Sequence, residues 1–284
     1  MPPDEPLGGV GKTALGVAMV RARESRRDGR LFDDPYAQAF VDAAPGVFPE
    51  EPKTGEELAA LGPMASLGAM FYAHSVIRTR FFDDHLTAAA AGCSQVVLLA
   101  AGLDSRAFRL PWPQRTRVFE IDLPGVLAFK DSVLAAQGAV PRCARTTVPA
   151  DLRAAWTTAL AEAGFDRAAP AAWLAEGLLI YLTAAEAERL LTGISELSAP
   201  GSQLAFEHSP IAAVALTDQA HQMPAMQQYI KLWKGGLGDD APRWLTSHGW
   251  QPEFHELATL AASYQRLVPG QARGGFLTAS RVQP

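Results

Sequence analysis

The chain has 284 residues, of which 48% are hydrophobic, and a formal net charge of −5. That length and apolar content suffice for one sizeable core with a smaller appendage and exclude a disordered chain, while the acidic balance leaves no electrostatic footprint for nucleic acid. Two cysteines, Cys93 and Cys143, are too few for a metal quartet, and no run of roughly eighteen apolar residues offers a membrane span.

The opening MPPDEPLGG has neither a basic start nor an apolar run for export, and with two unpaired-looking cysteines the expectation is a cytoplasmic protein. GGVGKT at 8–13 invites a phosphate-loop reading, which the spacing rejects: the pattern needs glycine at position 6, where Pro6 stands, and a strand before it. Leu15, Met19 and Ala22 recur at helical spacing, so TALGVAMVRARES is a helix with Thr13 as its N-cap. A second helix starts near Pro35, and the Pro-, Gly- and Glu-rich segment 45–65 reads as a loop or lid. A long helix follows over 67–91, carrying Arg78 and Arg80, with Asp83, Asp84 and His85 expected on a solvated face.

The centre of the chain is the stretch 95–130. Val96 to Ala100 reads as a strand buried on both faces and ends in the small-residue turn Ala100, Ala101, Gly102; Asp104 and Ser105 can then cap a short helix through Phe108. Arg106 reads equally as a surface or a capping residue, and Glu120 as a structural acid or a partner of Asp122. A second strand, 117–121, ends in Asp122, and Pro124 opens the next helix. The unit repeats: a strand over 143–148 before Asp151, a helix over 151–164, a strand over 171–176 ending in Glu176, a helix over 183–197 and a strand over 203–207. A helical insertion near 211–235, a helix over 241–248 and a terminal antiparallel hairpin (253–257 and 275–282) complete the chain. The fold class is therefore α/β, a Rossmann-like and mostly parallel sheet, with residues 1–92 as an N-terminal helical cap and 93–284 as the core.

In such a unit the small-residue turn lets a ligand backbone lie against the first strand, and an acid ending the second strand can bind two ribose hydroxyls. Asp122, Asp151 and Glu176 would line one crevice. NAD and S-adenosylmethionine both fit this pattern, although NAD also needs a glycine-flanked helix N-terminus for its pyrophosphate and only one glycine stands here.

With TALGVAMVRARES, LFDDPYAQAF, VIRTRFFDDHL, VVLLAAGLDSRAFRL, VFEIDLP, ADLR and WLAEGLLIYL in that order, the chain resembles the leucine carboxyl methyltransferase family of S-adenosylmethionine-dependent enzymes, which includes actinobacterial and polyketide carboxyl methyltransferase relatives. The resemblance implies that Arg23 and Arg78 bind the carboxylate of the cofactor's methionine part. It further implies that the turn at Ala100 and Gly102 admits the cofactor, that Asp122 takes its ribose, that Asp151 with the backbone of Leu152 holds the adenine edge, and that Glu176 faces the methionine amino group. Ala100 departs from the family, which usually has glycine there.

The reaction implied is O-methylation of a carboxylate on a small, hydrophobic molecule to give a methyl ester. A carboxylate is already deprotonated at neutral pH and needs a binder more than a base. Arg153 and Tyr181 are the residues the resemblance gives to that task. Two alternatives are a phenol or other hydroxyl acceptor with His208 or His221 as general base, and a cofactor-binding protein that has lost transfer, which the change at Ala100 motivates. No metal site, nucleic acid or membrane partner is expected, and oligomeric state is left open.

Overall fold

A computed structural model describes residues 9–47, 62–208, 231–269 and 274–282. Most of the expected lid at 45–65 and of the insertion near 211–235, including His221, falls outside these residues. The cap consists of α1 (Gly9–Ser25), α2 (Ala37–Asp42) and the long α3 (Pro63–Ala89). The core then runs β1 (Gln95–Leu99), α4 (Arg106–Arg109), β2 (Arg117–Asp122), α5 (Pro124–Ala136), β3 (Ala144–Pro149), α6 (Trp156–Glu162), β4 (Ala171–Ala175) and a short 3-10 turn at Leu179–Tyr181. It continues through α7 (Ala184–Glu196), β5 (Gln203–His208), α8 (Ala241–Ser247), β6 (Trp250–Glu256), α9 (Leu257–Ser263) and β7 (Gly275–Arg281).

The strands form one seven-stranded sheet in the order β3-β2-β1-β4-β5-β7-β6, parallel from β3 to β5, with β7 antiparallel to both of its neighbours. Chain direction across the sheet reverses between β1 and β4, and in open α/β sheets ligands bind outside the carboxyl ends of the strands at that point. Alternate residues of the central strands feed two cores. Val96, Leu98, Ala172 and Leu174 pack with Ile77, Phe82 and Leu86 of α3, whereas Val97, Leu99 and Trp173 pack with Leu190, Leu191 and Ile194 of α7.

Several local expectations are corrected. Thr13 lies inside α1, which already runs from Gly9, so it is not the N-cap. The helix expected over 151–164 is confined to Trp156–Glu162, because residues 151–153 are tied into a turn in which Asp151 Oδ1 accepts the Arg153 backbone N–H at 2.9 Å. The two terminal strands pair antiparallel as expected but are separated by α9, and the last strand lies between β5 and β6. By contrast, α7 begins where Thr183 and Glu186 form a capping box.

The largest correction concerns α3. Asp83 is not on a solvated face: it is buried and accepts hydrogen bonds from Arg106 Nε at 2.7 Å and from Arg109 Nη1 at 2.5 Å. The helix is thus ionically locked to α4, and Arg106 is an interior residue at 2% exposure. Glu120 proves structural: fully buried on β2, it pairs with the equally buried Lys130 Nζ at 2.8 Å and with Arg145 Nη2 at 2.6 Å.

Candidate active site

At the switch point the β1 turn is shaped by backbone conformation. Ala100 and Gly102 both occupy the left-handed region, with φ of 50° and 47°. A Cβ on Gly102 would stand 3.3 Å from Ala14 Cβ, so α1 presses directly on this turn. Ala100 adopts the same hand with a methyl group in place, a conformation that disfavours every L-residue.

Asp122, at the end of β2, is bonded to the β1 turn. Its carboxylate accepts the Gly102 N–H at 2.6 Å and the Leu123 N–H at 2.7 Å. Burial pushes its pKa up against those two bonds. The carboxylate therefore gains from any further donor that arrives, such as a pair of vicinal hydroxyls.

Charged side chains also meet at the end of β4 and the start of the following turn. Arg78, on α3, donates from Nε to Glu176 Oε1 at 2.8 Å and from Nη1 to Glu207 Oε1 at 2.7 Å. Arg106 Nη1 reaches Glu176 Oε2 at 2.7 Å and also Asp104 Oδ2. Burial works against the charge on Glu176, but Arg106 and Arg78 hold its pKa below the usual carboxylate range. Burial likewise opposes ionisation of Asp104, yet Arg106, Lys130, Arg109 and Arg21 bring it down to about 2. A buried Arg–carboxylate pair of this kind can exchange partners with a zwitterion, the guanidinium taking its carboxylate and Glu176 its ammonium group, with no change in net charge.

The structure brings Ala100, Gly102, Asp122, Arg78 and Glu176 to one region, and places Asp151 and Leu152 on the neighbouring strand end. Leu152 is half-buried against the second core. Asp151 is occupied by Arg153, whose Nε and Nη2 reach it at 2.9 and 2.6 Å; these hydrogen bonds lower the Asp151 pKa. Arg153 itself keeps 59% of its side chain exposed. Tyr181 is half-buried in the 3-10 turn after β4, against which Gly235 is folded through its N–H to Ile180 O at 3.1 Å.

Arg23 is held apart. At roughly 100° per residue it lies on the opposite side of α1 from Ala14, exposed, with its guanidinium 4.7 Å from the Tyr72 ring centroid. The arginine that α1 turns inward is Arg21, which donates to Asp34 Oδ2 at 2.8 Å and to Leu103 O at 2.5 Å. His208 also points elsewhere: alternation on β5 sends Glu207 toward Arg78 and His208 to the other face, edge-on to Phe254 at 5.7 Å.

Sequence reasoning missed Glu207, Asp104 and the inward role of Arg106. Asp104 and Arg106 were visible as an acid and a base two residues apart just past the switch-point strand, and Glu207 as a third acid closing a parallel strand. Their signal was positional, and an acid that ends a parallel strand next to the switch point belongs to the crevice. Among the described residues no group of three His, Cys, Asp or Glu side chains could hold a metal ion, and no helix is long and apolar enough to cross a membrane.

Comparison with known proteins gives the family and the fold. The family model for leucine carboxyl methyltransferase matches residues 14–195. A protein of Parafrankia sp. is 50% identical over 96% of this chain and 88% of its own length, and one of Streptomyces coelicolor is 44% identical over 96% of each. Both names give S-adenosyl-L-methionine-dependent methyl transfer as the expected activity. Among solved structures, a methyltransferase-like protein of Thermobifida fusca superposes with a TM-score of 0.56 at 17% identity over 100% of this chain and 99% of its own. A DUF574 family protein of Streptomyces avermitilis gives 0.57 at 14% identity over 94% and 97%, so both share the fold. The sheet order, the crevice at its switch point and these relatives lead to one conclusion: the chain belongs to the leucine carboxyl methyltransferase family and is an S-adenosylmethionine-dependent methyltransferase.

Proposed function

We propose that the protein transfers a methyl group to the carboxylate of a small, largely apolar molecule, giving a methyl ester. The cofactor supplies an electrophilic methyl on a sulfonium; the chain's part is to hold the acceptor oxygen in line with it. Arg78 takes the carboxylate of the cofactor's methionine part and Glu176 its ammonium group, with Glu176 also favouring the adjacent positive sulfur. Asp122 receives the ribose hydroxyls, the turn at Ala100 and Gly102 admits the chain between them, and Asp151 with the Leu152 backbone faces the adenine edge. Arg23, stacked outside the crevice on Tyr72, has no part in this arrangement.

Arg153 and Tyr181 orient the acceptor. The observation that carries this reading is the position of Arg153: it follows β3 at the same edge as Asp122, its guanidinium is largely exposed, and its hydrogen-bond partner among the described residues is an acid two residues away. Such an exposed local pair is weak, of order 1 kcal/mol or less, so an incoming carboxylate can compete for the guanidinium. The family's description, leucine carboxyl methyltransferase, supports the same acceptor chemistry. Arg153→Ala should lower kcat/KM for ester formation by about 100-fold while changing cofactor affinity less than about threefold, since it removes a group that orients the nucleophile. Equal losses in both would instead make Arg153 a cofactor ligand acting through Asp151.

A further inference from the structure

Beside the charge cluster of the crevice stands a titratable side chain to which neither the cofactor nor a carboxylate acceptor gives a task. His74 lies four residues before Arg78 on α3, so both side chains project toward the same strand ends. Its Nε2 is 3.8 Å from Glu207 Oε1, too long for a hydrogen bond and close enough for electrostatic contact. Glu207 is itself fixed: Oε1 accepts from Arg78 Nη1 at 2.7 Å, and Oε2 accepts the Gly177 N–H at 2.6 Å. The imidazole leans on the Phe276 ring of β7, with centroids 5.8 Å apart, and 27% of the side chain stays accessible.

The charged groups facing the ring are Glu207 from β5, Glu176 from the end of β4 and Arg78 from its own helix. Burial outweighs the two carboxylates and, with Arg78, lowers the imidazole pKa below 6.5. The ring is neutral at pH 7 and can accept a proton.

We propose that His74 is a catalytic base for a second class of acceptor, so that the same crevice also methylates acidic hydroxyl groups, phenolic or enolic, to methyl ethers. The inference rests on the methyltransferase reading but not on the carboxylate one. A carboxylate arrives without a proton and needs no base, whereas a hydroxyl must lose one. In the step, the hydroxyl oxygen forms its bond to the methyl carbon and its proton passes to an imidazole nitrogen. The electron pair of the broken carbon–sulfur bond stays on sulfur, which becomes a neutral thioether, and the imidazolium afterwards loses its proton to water. Placement supports the role: the methyl lies a few bonds from the methionine end that Arg78 and Glu176 hold, and His74 stands one helical turn, about 5.4 Å, from Arg78. A base with a depressed pKa suits acidic hydroxyls and not aliphatic alcohols.

The test compares the whole protein with its His74→Gln variant on S-adenosylmethionine with matched panels of phenols and carboxylic acids. The wild type should form methyl ethers, and its ether rate should fall only at a pH lower than the ordinary imidazole value, as the ring takes up its proton. In the variant the ratio of hydroxyl to carboxyl methylation should drop by about tenfold or more. A second readout needs no turnover: in the cofactor-free protein, imidazole NMR should show His74 titrating below 6.5, the ordinary value from which burial lowers it. Glu207→Gln should lower that pKa further, because a carboxylate that raises it is lost. No ether from the wild type, an unchanged ratio in His74→Gln, or a ring still protonated at pH 7 would each overturn the proposal. Failure of the underlying methyltransferase reading would show differently, as no methyl transfer to any acceptor in either panel.

Discussion

Arg78 and Glu176 are 98 residues apart in sequence, and their side chains meet at 2.8 Å, joining the cap helix α3 to the switch point of the sheet. Both are mostly buried, at 8% and 16% side-chain exposure. Removing one partner leaves the other charge without compensation, which costs about 3–5 kcal/mol. Arg78→Ala should therefore lower the urea unfolding free energy by that amount and abolish cofactor binding in titration calorimetry. A stable variant that still binds would show that the pair is neither lock nor ligand.

Asp122→Ala removes the acceptor assigned to the ribose. A buried charged hydrogen-bond partner contributes about 1–3 kcal/mol, so calorimetry should record a loss of roughly 5- to 150-fold in affinity for S-adenosylmethionine. Unchanged affinity would remove the ribose assignment.

Ala100 has φ of 50° and stands where relatives are expected to carry glycine. Left-handed backbone costs an L-residue about 1–2 kcal/mol, part of which glycine returns through its more flexible unfolded chain. Ala100→Gly should thus raise the unfolding free energy by up to ~1 kcal/mol and leave cofactor affinity equal or higher. A destabilised variant would mean that the methyl of Ala100, which packs on the second core, outweighs the strain.

His85 gives the fold a pH dependence. Its Nε2 is buried with no hydrogen-bond partner among the described residues, and burial, assisted by His255, lowers its pKa to about 4. The unfolded chain binds a proton near pH 6.5 that the folded chain refuses until about pH 4, so stability falls as pH drops through that window. With the ring partly accessible, the loss should be about 2 kcal/mol. Urea unfolding at several pH values should show it, and His85→Leu should flatten that part of the profile.

The parallel strands were legible because each is a short apolar run closed by a small or acidic residue, as at Leu99 before Ala100 and at Asp122. The same rule singled out Gly102, Asp122 and Glu176, which the structure places at one edge of the sheet. What stayed hidden depends on packing between distant elements. Asp83 looks like part of an exposed acidic patch until Arg106 and Arg109, more than twenty residues on, close over it. Which of Arg21 and Arg23 turns inward is a matter of helix phase, and two residues on α1 differ by roughly 200°. The phase brings Ala14 close to Gly102, an approach that no local pattern announces.

The central claim is transfer of the methyl group to a carboxylate, and one labelling experiment addresses it directly. The protein is incubated with S-adenosylmethionine carrying an isotopically labelled methyl and a mixed panel of carboxylic acids, phenols and amines, and the products are then treated with alkali. The account predicts labelled methyl esters, recognised because mild alkali releases the label as methanol, and their loss in Arg153→Ala. Label found solely in alkali-stable ethers or amines, with no methanol released, would contradict it.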